Sequence, residues 1–168
     1  GEGASVAVGS GVLVGGAVGV LVGSAVAVGV LVGGAAVNVG FGLPLVVDLD
    51  GMVIRSQTIP MLRGHDQNLI AGHTDAVTKT AQRVYIAGLL SGQSDVVDAI
   101  AQTADNGVPW QLSIGCSIDK LDFVDRGETV KVNGRNFDGP LYVAKQTTLA
   151  EVSFCAVGAD MNTSANIA

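Results

Sequence analysis

Hydrolysis by a small domain calls for a nucleophile with a base beside it and a third group that orients the base. The 168-residue chain has only two histidines, His65 in the polar stretch RGHDQN and His73 in IAGHTDAV. Ser113 lies in VPWQLSIGCSID, where Leu112, Ile114, Cys116 and Ile118 alternate with Gln111, Ser113, Gly115 and Ser117. A period of two places that serine on the polar face of a strand. Glu151 interrupts the apolar run TLAEVSFCAV. A carboxylate in such a strand has to be paired, hydrogen-bonded or protonated, because unpaired burial is costly. His65, Ser113 and Glu151 together supply a base, a nucleophile and an orienting acid, the generalised triad. Each also has a plainer reading: a solvated loop histidine, a half-buried polar serine, a glutamate paired with Arg or Lys. Gly115 lacks a side chain on the Ser113 face and offers room for a substrate backbone.

Other chemistries find less material. The two cysteines give no C-x-x-C spacing, and two histidines without clustered cysteines leave little for a transition metal. The acids Asp119, Asp122, Asp125 and Glu128 lack the spacing of a calcium loop and read as a solvated strand end and turn. No metal and no cofactor is therefore expected. Cys116 points to the apolar face and reads as a small buried hydrophobe; free thiols there and at Cys155 fit a reducing cytoplasm. A net charge of −6 with nine Lys and Arg argues against a nucleic-acid binder that works by neutralising phosphates.

The elements that must position these groups are mostly strands. LPLVVDLDGMVI reads as a strand with a turn at Asp50-Gly51, and Pro60 with RGHDQN as a loop that delivers His65. IAGHTDAVTKT and RVYIAGLLS follow as strands. Val96, Val97, Ile100, Ala101 and Ala104 then take helical spacing, with Ser94 as N-cap, Asp95 and Asp98 in the first turn, and Gly107 past the end. After the Ser113 strand, VKVNGRNF carries the hairpin signal Asn133-Gly134. LYVAK and TLAEVSFCAV close the set as strands, and the tail DMNTSANIA reads as a last helical turn. Many strands around one helix predict a β-rich barrel or α+β domain.

Residues 1–42 are a different kind of sequence. They hold 13 Gly, 13 Val and 7 Ala, and Glu2 is the only charged residue before Asp48. GVLVG recurs at Gly11, Gly19 and Gly29, and from Val6 to Val32 every Val occupies an even position. That alternation predicts short strands. Missing basic flanks and interfacial aromatics disfavour a membrane span, although the run is apolar enough for one. The chain thus divides into a Gly/Val/Ala-rich low-complexity segment, 1–42, and a domain, 43–168. A start at Gly1 rather than Met reads as a fragment or a processed end.

The order and wording of the blocks LVVDLDG, LRGHDQNLIAGHTDAV, GVPWQLSIG, VNGRNFDGP and LAEVSFCAVGADMNTSA resemble the prohead maturation proteases of tailed phages, serine proteases of the herpesvirus assemblin-like group. The resemblance runs from Leu43 to the end, about three quarters of the chain. It implies a closed β-barrel with one or more flanking helices. It places the catalytic histidine on His65, the nucleophile on Ser113 and the third member on Glu151, where herpesvirus relatives carry a second histidine. His73 is the rival for a triad place and Ser117 for the nucleophile, but Ser117 lacks the Ser-x-Gly context. Backbone around Gly158, Ala159 and Asp160 is the expected source of oxyanion donors, with Gly115 near the substrate. The implied function is an endopeptidase that cuts capsid and scaffold precursors, and itself, in the assembling prohead within the host cytoplasm. A catalytically inactive assembly or scaffold protein that keeps the fold is the alternative, and homo-oligomerisation stays open. Relatives carry a more varied, polar segment and an early barrel strand where this chain has its repeat.

Overall fold

Most of the sequence's strand-forming stretches join one strongly curled sheet. A computed structural model describes residues 26–32, 36–37 and 42–167. In chain order the strands are β1 (Val26–Val32), β2 (Leu45–Val47), β3 (Met52–Val53), β4 (Pro60–Arg63), β5 (Asp66–Lys79) and β6 (Arg83–Leu89). The helix α1 (Ser94–Asp105) follows, then β7 (Gln111–Val124), β8 (Thr129–Val132), β9 (Arg135–Asp138), β10 (Leu141–Cys155) and β11 (Ser164–Ile167). Among the described residues nine strands share one sheet, along the path β11-β1-β6-β5-β4-β10-β2 with β3 and β7 also paired to β10. Along one side of β10 run β2, β3 and β4, all parallel to it, while β7 pairs antiparallel with β10. The other two strands, β8 and β9, form a separate hairpin.

This architecture is β-rich with a single helix among the described residues, as expected, but the sheet is a curled half-barrel. Its edge β11 meets the residue just before edge β7 through a backbone bond, Ala165 N–H to Trp110 O at 2.8 Å, and no ladder joins the two strands among the described residues. Closure of the expected barrel is not shown among the described residues. β11 is too short to zip along the 14-residue β7. The repeat contributes β1, which lies between β6 and β11 in the same sheet. The strand reading of the repeat is therefore met at Val26–Val32; residues 1–25 lie outside the described ones.

Inside the curl sits a core built from Leu49, Met61, Val84, Ile86, Leu112, Leu149, Val152 and Phe154, closed at one end by Val96, Val97 and Ile100 of α1. A smaller cluster, Val46, Val124, Val132, Leu141 and Val143, lies under the β8–β9 hairpin. Asn133 and Gly134 both take positive φ, 52° and 78°, as a two-residue hairpin turn demands. The buried Asn133 side chain accepts from Leu49 N–H at 2.9 Å and donates to Val47 O at 2.7 Å, which ties the hairpin to β2.

Several local expectations are revised. Asp50-Gly51 is a turn as expected, closed by Met52 N–H to Leu49 O at 3.2 Å, but it joins β2 and β3 in line along β10, and Lys79 Nζ donates to the carbonyls of Leu49, Asp50 and Met52 around it. LYVAK and TLAEVSFCAV are one strand, β10. The helix cap is Gln93, one residue before Ser94, and its Oε1 instead accepts from Ile70 N–H at 3.1 Å. Gly107, with φ 88°, ends the helix as expected. The tail forms β11 rather than a helical turn, because its backbone finds a partner in β1. No helix among the described residues is long and apolar enough to cross a membrane.

Candidate active site

RGHDQN is not a loop. Arg63 pairs with Asp66, and Gly64 and His65 form the two-residue turn between β4 and β5, with φ of 64° and 61°. Both residues lie in the left-handed region that such a tight turn needs, and His tolerates it better than most side chains. The turn leans over β10: Gly64 N–H donates to Phe154 O and His65 N–H to Ser153 Oγ, each at 2.9 Å.

A β-bulge sets the other half of the site. On β10 the core residues Thr147 and Leu149 are odd-numbered, while Val152 and Phe154 are even. The register shifts between Leu149 and Glu151, where Ala150 is the extra residue. Past that point Glu151, Ser153 and Cys155 face away from the core. They come into register with Gly115, Ser113 and Gln111 of β7, the polar face expected from alternation.

The imidazole of His65 then bridges the two strands. Its Nδ1 lies 2.6 Å from Glu151 Oε1 and its Nε2 lies 2.9 Å from Ser113 Oγ. The three residues that the sequence singled out are thus brought together. Glu151 is 15% exposed and His65 43%, so the carboxylate is shielded while the imidazole is open to solvent. Ser153, fully buried, donates to Glu151 Oε2 at 2.8 Å while accepting from the His65 amide. It fixes both the Glu151 carboxylate and the turn that carries the imidazole. Sequence reasoning passed over it, although its place two residues beyond Glu151 put it on the same face.

Gly115 has a different role from the one expected. A Cβ there would sit 2.1 Å from Glu151 Oε1, so the missing side chain makes room for the carboxylate rather than for substrate. Gly158 N–H donates to Gln111 Oε1 at 2.6 Å and is already committed. Asp160 is engaged locally: its side chain accepts from Asn162 and its carbonyl from Thr163. Ala159 is exposed between them. The rivals fall elsewhere. His73 bonds Ser91 Oγ at 2.7 Å and lies 3.6 Å from Asp75, and Ser117 is exposed opposite Thr148. The acidic stretch makes strand-end contacts, with Asp119 accepting from Thr148 and Glu128 from the Asp125 amide. Among the described residues no group of three or more His, Cys, Asp and Glu could hold a metal ion.

The His65 imidazole is pushed up to about 10: contact with Cys155 is the largest cause, the hydrogen bond to Glu151 follows, and partial burial opposes both. Both partners favour the imidazolium. The Cys116 thiol is pushed up to about 12, chiefly by burial and further by the Glu151 charge, so it stays protonated and unreactive at neutral pH.

Comparisons with protein-family models, with curated proteins and with solved structures give no match for this chain.

Proposed function

We propose that this protein is a serine endopeptidase of the prohead-maturation type, with the assemblin-like barrel as its parent fold. The observation that carries the reading is the His65 ring held between Ser113 Oγ and Glu151 Oε1. Ser113 Oγ attacks a peptide carbonyl as its proton passes to Nε2 of His65. The C–N bond then breaks, the imidazolium returns that proton to the leaving amine, and an acyl-Ser113 remains. Water, activated by the same nitrogen, releases the acid and regenerates the serine. Glu151 holds Nδ1, fixing the tautomer and stabilising the imidazolium formed in each step. The substrates proposed are capsid and scaffold precursors and the chain itself, cut inside the assembling prohead in the host cytoplasm.

One observation favours a second reading, an inactive assembly component that keeps this fold. With its imidazole pushed up to about 10, His65 is mostly protonated at neutral pH, and only its small neutral fraction can accept the serine proton. Treatment with a fluorophosphonate probe at pH 7 to 10 separates the two. Labelling that disappears in Ser113→Ala supports the peptidase. Folded protein that never labels across that range supports the inactive component.

A further inference from the structure

Beyond Ser113 on its own face, β7 begins with Gln111, and the Gln111 amide grips a turn. Its Oε1 accepts from Gly158 N–H at 2.6 Å and its Nε2 donates to Met161 O at 3.1 Å. The turn is closed from within by Asp160, whose side chain accepts from Asn162 and whose carbonyl accepts from the Thr163 hydroxyl at 3.1 Å. Gly158 is buried, with Gln111 Oε1 and Thr163 Oγ1 each 3.2 Å from where its Cβ would be. This held turn nevertheless projects two large apolar side chains into solvent, Val157 at 82% and Met161 at 81% exposure. Among the described residues they are by far the most exposed large hydrophobic side chains.

Residues two apart on a strand are separated by roughly 7 Å, about the span of two residues of an extended peptide. A turn bonded to Gln111 therefore lies one or two residues along a peptide whose carbonyl is at Ser113. We infer that the 157–161 turn is a specificity element of the proposed peptidase, an apolar lip that takes a Leu-, Val-, Met- or Phe-type side chain flanking the scissile bond. Val157 supplies a stiff wall, Met161 an adaptable one, and Gln111 is the positioning residue that holds both beside the nucleophile. This rests on the peptidase reading, and it explains why the Gly158 amide is spent on Gln111: the turn is anchored for binding rather than aimed at the oxyanion.

The test is cleavage-site sequencing on a proteome-derived peptide library, with fluorophosphonate labelling of Ser113 run in parallel. The wild-type protein is expected to enrich apolar residues at one position within two residues of the cut. Val157→Ser/Met161→Ser is expected to lower that enrichment about tenfold, the scale of discrimination by apolar contacts. Gln111→Ala should raise KM for the best peptide more than it lowers kcat. Because enrichment is a ratio within one digest, partial loss of folded protein does not mimic the effect, and the single Val157→Ser variant repeats the test with less disturbance. Labelled Ser113 with no apolar preference, no cleavage of the library, or a preference unchanged in the variants overturns the inference alone. Absence of labelling overturns the peptidase reading beneath it.

Discussion

Replacing Gly115 with alanine should separate function from stability. The added methyl would lie 2.1 Å from Glu151 Oε1 and 2.8 Å from its Cδ, where non-bonded carbons need about 3.5 Å. All three nearest atoms belong to the Glu151 side chain, so the carboxylate gives way and the sheet does not. A shift exceeding an ångström ends the 2.6 Å bond to His65 Nδ1. Losing the acid's role costs on the order of 10⁴ in kcat in a Ser-His-Asp enzyme, so the alkaline plateau of probe labelling should fall by roughly 10² to 10⁴. The His65 midpoint should move down from about 10, since the Glu151 bond is one of the groups holding it up. Stability should change little, because the roughly 0.5–1 kcal/mol by which alanine in a strand is favoured over glycine offsets the loss of the partly exposed His65–Glu151 pair. Labelling rates from pH 6 to 11, with urea unfolding beside them, supply both numbers. A variant with the wild-type plateau and midpoint would refute the claim that this glycine exists to admit the carboxylate.

Wild-type labelling should climb between pH 7 and 9 and level off above about 10, and Cys155→Ala should move that midpoint down, as the sulfur contact is the largest cause of the shift. A profile flat from pH 6 to 8 contradicts this. His65 is raised in the folded protein, so its contribution to stability is fully present below 6.5 and is lost as pH rises through about 10. The urea-midpoint gap between wild type and Glu151→Gln should shrink over that window, and a gap that widens would reverse the sign. Asn133→Ala leaves Leu49 N–H and Val47 C=O without their partner and should destabilise by roughly 2–4 kcal/mol, measured by urea unfolding. Cys116 should resist iodoacetamide in folded protein at pH 8, as mass spectrometry of the digest will show, because its thiol stays protonated up to about 12.

Strand alternation was enough to place Ser113 opposite the apolar face of β7, and the Asn133-Gly134 hairpin and the buried stripe of α1 were equally plain, because each depends on residues a few positions apart. The unpaired carboxylate in an apolar run marked Glu151 for the same reason. What the linear pattern left open was pairing between distant segments. The spacing of Leu149, Val152 and Phe154 breaks strict alternation, yet only the ladder with β7 shows that Ala150 is the extra residue that turns Glu151 outward. His65 became a turn residue because Arg63 and Asp66 pair, and the tail became β11 because β1 lies beside it. The tasks of Gly115, Ser153 and Gln111 exist only across strands: one vacates space for a side chain 36 positions away, and the others hold groups delivered by different turns. Side-chain type and period are written in neighbouring residues; which surfaces meet is set by long-range pairing, and the triad belongs to that second kind of information.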